Sequence, residues 1–203
     1  MSEARPAVRD FVLATTNRGK LAEFRKILSD TSIRLDPFDG NPKEAPEETG
    51  LTFVENALIK ARHATLASGR PAIADDSGIC VAALGGAPGV RSARFAGAGA
   101  SDRDNVELLL ERLGDAPDDR RQAFFHCVIV VLQCPDDPAP LIASGQWHGR
   151  ISDTPSGTNG FGYDPVFIDS GLGKTAAELD AETKNRVSHR AQACRALLAL
   201  LGT

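Results

Sequence analysis

The order of apolar and polar residues along the chain predicts strands and helices in an α/β arrangement. Phe11 to Thr15 is a short apolar run that predicts a buried first strand. After the polar residues 16–20, apolar residues recur at helical spacing from Leu21 to Leu28. Ile33 to Leu35 predicts a second strand. A strand followed by a polar loop and a helix is an arrangement in which loop N–H groups and the helix N-terminus can receive a phosphate.

Hydroxyl side chains mark where three further helices begin, since serine and threonine are favoured N-caps. The first cap predicts a helix from about Phe53 to Leu66, and the last predicts one that runs to Leu201. The caps are Thr52, with Glu55 three residues on, Ser101, with Asp104 three residues on, and Ser188.

Ala72 to Ala74 is an apolar run that predicts the tail of a buried strand, ending at Asp75 and Asp76. Open α/β sheets bind ligands at the carboxyl ends of strands, so paired acids at this point are candidates for chemistry. The alternative is that residues 75–78 form only a turn, since Asp, Ser and Gly are common turn residues. Further along, Ala123 to Leu132 and Leu141 to Trp147 predict two strands that pair antiparallel.

Composition narrows the classes of protein that fit. The chain has 203 residues, of which 42% are hydrophobic and 25% charged, which suits one globular domain spanning residues 1–203. A net charge of -4 argues against a nucleic-acid partner. No apolar run has membrane-spanning length, the first residues resemble no signal peptide, and the four cysteines are scattered. We therefore expect a cytoplasmic protein without a membrane partner.

The polar residues of interest form an acidic set and a cationic set. Carboxylates combined with lysines, arginines and glycine-rich loops are typical of sites for a magnesium-bound polyphosphate. Because no Cys/His cluster exists, a softer metal is disfavoured. The acidic set is Glu47, Glu48, Asp75 and Asp76, and the cationic set is Lys20, Lys60, Arg94, Lys184 and Arg190.

A glycine-rich stretch, residues 156–165, surrounds Phe161 and Tyr163 with three glycines. Such a loop can present flat aromatic rings to a nucleobase. The alternative is a glycine-rich hairpin in which the two rings serve only as packing. His126, inside a predicted strand, is expected to be a packing residue rather than a catalyst.

Five polar and glycine-rich motifs follow one another along the chain: Ala14-Thr15-Thr16-Asn17-Arg18-Gly19-Lys20, Glu47-Glu48-Thr49-Gly50, Ala74-Asp75-Asp76-Ser77-Gly78, Gly160-Phe161-Gly162-Tyr163-Asp164-Pro165 and Ser188-His189-Arg190. In this order they resemble the inosine/xanthosine triphosphate pyrophosphatase family, and the resemblance extends from about Phe11 to Leu201. The chain differs from the family's usual pattern at Thr16 and Asn159, where glycine is common.

The resemblance implies an α/β fold with an elongated mixed sheet, flanking helices and two lobes around a substrate cleft, in a homodimer. It implies Mg²⁺-assisted hydrolysis of ITP, dITP and XTP to the monophosphate and pyrophosphate. By the same resemblance, Glu48 and Asp76 hold the metal, with Glu47 as the alternative to Glu48, and Asp76 is the general base. The residues that it implies for substrate binding are Thr15, Thr16, Asn17, Arg18, Gly19, Lys20, Lys60, Ser77, Phe161, Gly162, Tyr163, Asp164, Lys184, His189 and Arg190.

Two rival functions stay open at this point. One is a hydrolase of broad specificity that removes the terminal phosphate. The other is a nucleotide-sensing module without turnover, which has little use for Glu48 and Asp76 together.

Overall fold

The computed structural model describes residues 9–15, 17–40 and 45–202, and of Arg18 it describes the backbone alone. The strands are β1 (Arg9–Leu13), β2 (Ile33–Pro37), β3 (Ala72–Val81), β4 (Gln122–Leu132), β5 (Leu141–Ile151) and β6 (Phe167–Asp169). The helices are α1 (Arg18–Ile27), α2 (Phe53–Ser68), α3 (Asp102–Leu113), α4 (Ala181–Val187) and α5 (His189–Leu201), with short 3₁₀ turns between elements.

The strands form one mixed sheet in the order β2-β1-β3-β4-β5-β6, which confirms the predicted α/β class with flanking helices. β1 pairs parallel with both β2 and β3, and β5 pairs antiparallel with β6. The chain moves from β1 to β2 through α1 and then to β3, on the other side of β1, through α2. Because such crossovers are right-handed, α1 and α2 are expected to cover opposite faces of this part of the sheet.

The chain divides into two compact units. The first holds the residues up to Asp76, residues 128–144 and the chain from Ala193 on. Its core includes Val12 and Ala14 of β1, which pack with alanines of β3 and α2. Alanine has little side-chain volume, so it lets a helix lie close to a sheet. The alanines are Ala57, Ala61 and Ala64 of α2, and Ala72 and Ala74 of β3.

The second unit comprises residues 77–127 and 145–192. Its core is richer in large and aromatic side chains than that of the first unit. Trp147 is 3% exposed, and Phe167 is fully buried. Other members are Ile79, Val81, Val106, Leu109, Leu113, Phe125, Ile151, Tyr163 and Val166.

The prediction that a strand ends at Asp75 and Asp76 is wrong, as is the alternative of a turn over residues 75–78. β3 continues without a break to Val81. Acids are tolerated inside it because helical lysines pair with both, as described below. Close packing requires glycine at position 78 of the strand, because a Cβ atom there would collide with the carbonyl of Gly89 and the side chain of Ser92.

The other predicted elements lie close to their expected places. Both capping boxes form: Thr52 caps α2 and Ser101 caps α3, each with its partner acid three residues on. The strands predicted from Ala123 and Leu141 are confirmed as β4 and β5. The short helix α4 was not predicted. None of the helices described in the structure has the length and hydrophobicity needed to cross a membrane.

Candidate functional site

The loop after β1 leads directly into α1, as the sequence predicts. The Oδ1 atom of Asn17 accepts a hydrogen bond from the backbone N–H of Lys20 at 3.0 Å, so Asn17 is the N-cap of α1. The hydroxyl of Thr15 accepts from the N–H of Asn17 at 3.2 Å. Gly19 and Lys20 therefore lie in the first turn of the helix. Thr16 and the side chain of Arg18 lie outside the described residues.

Asp75 and Asp76 point to opposite faces of the sheet, because successive side chains of a strand alternate. Asp75 is 1% exposed, and its carboxylate forms an ion pair with Lys20 of α1 at 2.9 Å. Asp76 lies in the same alternation as Ala72 and Ala74, which pack against α2. One sequence motif thus supplies an acid to each of two helices.

Lys60 of α2 bridges two carboxylates on the face of the sheet that carries Asp76. Its Nζ atom lies 2.8 Å from Oε1 of Glu48 and 2.9 Å from Oδ1 of Asp76. The two carboxylate oxygens therefore lie within about two hydrogen-bond lengths of each other. Glu47, the predicted alternative to Glu48, is exposed. We refer to Lys20, Glu48, Lys60, Asp75 and Asp76 as the acid–lysine cluster.

Asn56 is a member of this region that the sequence analysis missed. It is fully buried, and its side-chain amide donates to Oδ2 of Asp76 at 3.3 Å. Its Oδ1 atom accepts from the N–H of Gly50 at 2.8 Å, which ties the Glu48 loop to α2. The signal that could have found it was its position four residues before Lys60, since residues at i and i+4 share a helix face.

On the face of the sheet that packs against α2, the surroundings raise the pKa of both the carboxylate of Asp76 and the ammonium of Lys60. Burial raises the pKa of Asp76, and the attraction of Lys60 offsets this only in part, so its pKa lies above the ordinary value. Burial lowers the pKa of Lys60, but Asp76, Asp75 and Glu48 outweigh it, so the pKa of Lys60 is raised. A general base gains strength when its pKa is raised towards the operating pH.

The acid–lysine cluster offers a cation two carboxylates rather than a complete ligand cage. Among the residues that the structure describes, no three His, Cys, Asp or Glu side chains form a group able to hold a metal ion. Mg²⁺ is commonly held by one or two carboxylates, with water and substrate phosphates as its remaining ligands. Glu48 and Asp76 fit that pattern, because a cationic ammonium already lies between them.

Three predicted residues of the second unit meet at the aromatic loop. Oδ2 of Asp164 accepts hydrogen bonds from the N–H of Phe161 at 2.9 Å and from Nζ of Lys184 at 2.6 Å. The same Nζ atom lies 5.0 Å from the centre of the Phe161 ring, within cation–π range. A Cβ atom at Gly160 would collide with the Asp164 carboxylate, so this contact requires glycine there.

Tyr163 lies elsewhere than its neighbour Phe161. Its ring is in the core of the second unit, 4% exposed, and its hydroxyl donates to the carbonyl of Ser92 at 2.9 Å. Burial raises the pKa of this phenol. These contacts agree with the packing alternative for Tyr163. The N–H of Gly162 donates to Asp102 at 2.7 Å, a contact that the sequence did not suggest.

The first turn of α5 carries the last two predicted residues, both buried. The His189 ring stacks on Phe125, with centroids 4.8 Å apart and an interplanar angle of 12°. Trp147 stacks at 6.4 Å from His189. Arg190 is 1% exposed and donates from Nη2 to the hydroxyl of Ser77 at 3.1 Å.

Comparison with known proteins gives a consistent result over nearly the whole chain. Residues 11–200 match the model of the Ham1 family. A dITP/XTP pyrophosphatase of Shigella flexneri is 54% identical over 187 residues, covering 92% of this chain and 95% of the relative. A dITP/XTP pyrophosphatase of Halorhodospira halophila is 56% identical, over 92% of this chain and 94% of the relative. A HAM1 protein from Coxiella burnetii superposes with a TM-score of 0.86 at 50% identity, over 95% of this chain and 98% of that one.

Proposed function

Since the chain belongs to the Ham1 family, we propose that it hydrolyses the deaminated purine nucleotides dITP, ITP and XTP. The products would be the nucleoside monophosphate and pyrophosphate. The observation that carries this proposal is the likeness, over more than nine-tenths of the chain, to relatives that are named dITP/XTP pyrophosphatases. The resemblance seen in the sequence motifs points to the same reaction.

The divalent cation of this reaction would be Mg²⁺, held by Glu48 and Asp76. When bound, it would neutralise phosphate charge and so allow an anionic or polarised water to approach the phosphorus. The support is chemical: hard carboxylate oxygens suit Mg²⁺, and two of them share one cation position in the acid–lysine cluster.

The other residues of the first unit would act on the triphosphate and on the attacking water. Asp76 would accept the proton of that water, since a carboxylate positioned beside the attacking water can act as its general base. Thr15, Asn17, Gly19 and Lys20 stand at the N-terminus of α1, where N–H groups and the helix dipole attract phosphate. Lys60 would contribute positive charge to the same phosphates.

The second unit would bind the base. Phe161, held beside Lys184 through Asp164, offers a ring face for stacking. Arg190 would donate to the 6-oxo group that distinguishes hypoxanthine and xanthine from adenine, with His189 next to it. A site built around such a donor rejects an analogue that leaves it unpaired. Tyr163 would support this loop from the core. The two-lobed cleft and the homodimer remain predictions of the resemblance.

The decisive experiment incubates the purified protein with Mg²⁺ and a panel of triphosphates and identifies the released product. We expect pyrophosphate from dITP, ITP and XTP, and slow turnover of ATP and GTP. Release of single phosphate would instead support the broad terminal phosphohydrolase. Tight nucleotide binding without turnover would support the sensing module.

A further inference from the structure

Lys60 has a position that its expected role as a phosphate contact does not explain. Its ammonium lies between Glu48 and Asp76, at hydrogen-bond distance from both. These are the two carboxylates that would hold the divalent cation under the proposed function. One side chain therefore occupies the place where two acidic groups converge.

The hydrogen bonds of Asp76 make this overlap specific. Its Oδ2 atom accepts from the amide of Asn56, a neutral donor that is itself anchored to Gly50. Its Oδ1 atom accepts the hydrogen bond from Nζ of Lys60. A cation that approaches Asp76 through Oδ1 meets the ammonium of Lys60 there, whereas one that approaches through Oδ2 meets the Asn56 amide.

A divalent cation and an ammonium cannot share this position at low cost. Like charges about 4 Å apart repel strongly where burial lowers the effective dielectric constant. The lysine side chain is long and flexible, whereas Asp76 is fixed in a strand, so Lys60 is the partner that moves.

We propose that Lys60 is an internal counter-ion that competes with the divalent cation for Glu48 and Asp76. In the absence of nucleotide, Lys60 neutralises the two acids and holds the affinity for free metal low. When a metal–triphosphate complex binds, the phosphates offer the ammonium a new partner, and the cation takes its place. Metal and nucleotide thus bind favourably together and poorly apart. This inference rests on the proposed function for the identity of the cation site.

The test measures Mn²⁺ binding to the nucleotide-free protein by electron paramagnetic resonance. Lys60→Met should lower the Kd for Mn²⁺ by about tenfold or more, which corresponds to a Lys60-engaged state populated at least about nine-tenths of the time. Lys60→Arg keeps the charge and should bind Mn²⁺ about as weakly as the wild type. The thermal midpoint of Lys60→Met should also rise more steeply with added Mn²⁺.

Lys20→Met is the matched control. Lys20 is also a lysine of this unit that pairs with a buried acid, but its partner is Asp75, on the opposite face of the sheet from Asp76. This variant should change the Kd for Mn²⁺ much less than Lys60→Met does. Equal tightening in both variants would show a general charge effect and overturn the proposal. Unchanged or weaker Mn²⁺ binding in Lys60→Met would overturn it as well.

Two provisions keep this result separate from the proposed function. Circular dichroism checks that each variant is folded, and Lys60→Gln replaces Lys60→Met if the latter is not. Pyrophosphate release by the wild type is measured independently. Hydrolysis without the Mn²⁺ shift would reject the counter-ion role alone, and the shift without hydrolysis would reject the proposed reaction alone.

Discussion

The two units hold their buried charges in different ways. In the first, each charged contact of the acid–lysine cluster joins a strand or a loop to a helix: Lys20 to Asp75, and Lys60 to Glu48 and Asp76. In the second, Asp164 accepts a hydrogen bond from the N–H of Phe161, three residues before it in the sequence, and a second one from the ammonium of Lys184. The first arrangement depends on strand alternation, and the second depends on loop hydrogen bonds and ring packing.

The two units also differ in the balance of charge among the residues described above. The acid–lysine cluster has three carboxylates and two lysines, so it has one negative charge in excess. The charged residues described around the aromatic loop and the start of α5 are Asp102, Asp164, Lys184 and Arg190, so their charges balance. An excess of negative charge suits the arrival of a cation, whereas guanidinium and ammonium donors suit an electron-rich oxo group. This difference favours metal chemistry in the first unit and base recognition in the second.

Removing Asp76 should have the largest effect. Asp76→Asn keeps the shape but removes both the proposed base and a proposed cation ligand, so kcat/KM for dITP should fall by more than the ~10²–10⁴-fold of a lost general base. The assay is pyrophosphate release with Mg²⁺. Asp75→Asn is the control, because it alters the neighbouring acid on the opposite face and should cost less. Equal losses would mean that the two acids act as one unit.

Lys20→Ala should lower kcat and raise KM together, because under the proposed function Lys20 holds the triphosphate through the transition state. A charged hydrogen bond is worth about 1.5–3 kcal/mol, so we expect a loss in kcat/KM of about 10–100-fold. Lys26→Ala, in the last turn of the same helix, is the control and should be near wild type. Unchanged kinetics for Lys20→Ala would show that the loop after β1 is only a connection.

Arg190→Met tests the second unit through selectivity rather than rate. The ratio of kcat/KM for dITP to that for dATP should fall by about tenfold or more, because the donor that adenine leaves unpaired is gone. Arg186→Met is the control, since this arginine of α4 is exposed and its ion pair with Glu182 is long, at 3.8 Å. A preserved ratio would remove Arg190 from base recognition. A thermal melt separates this effect from loss of folding, since Arg190 is buried.

The smallest effects are expected at the two capping boxes, one in each unit. Thr52→Ala and Ser101→Ala should each lower the free energy of unfolding by about 1 kcal/mol, measured by urea denaturation. Hydrogen bonds from Thr52 and Ser101 lower the pKa of Glu55 and Asp104. Stability from a depressed carboxyl pKa is present above its unfolded value and lost as the pH falls through the folded one. Both effects should therefore shrink at acid pH, and an increase there would contradict the cap geometry.

Features that depend on interactions between residues close in sequence were predictable, whereas those that depend on distant residues were not. Helix starts at Thr52, Ser101 and Ser188 were predictable because a cap bonds to residues three positions away. The end of β3 was misjudged because Asp75 and Asp76 are stabilised by lysines far along the chain. The sequence left open whether Tyr163 faces a base or packs, because the contact that holds its hydroxyl in the core comes from Ser92, 71 positions away.

The α/β class, the starts of α2, α3 and α5 and residue types typical of a polyphosphate site could be predicted from the sequence, because they depend on periodicity, local capping and the chemistry of neighbouring residues. The pairing of each acid with its lysine, and the hydrogen bond from Asn56 to Asp76, depend on tertiary contacts. The tertiary structure also decided that Lys60 lies between Glu48 and Asp76. These contacts depend on which face of a strand each side chain takes and which helix covers that face, and neither is written in any short stretch of the chain.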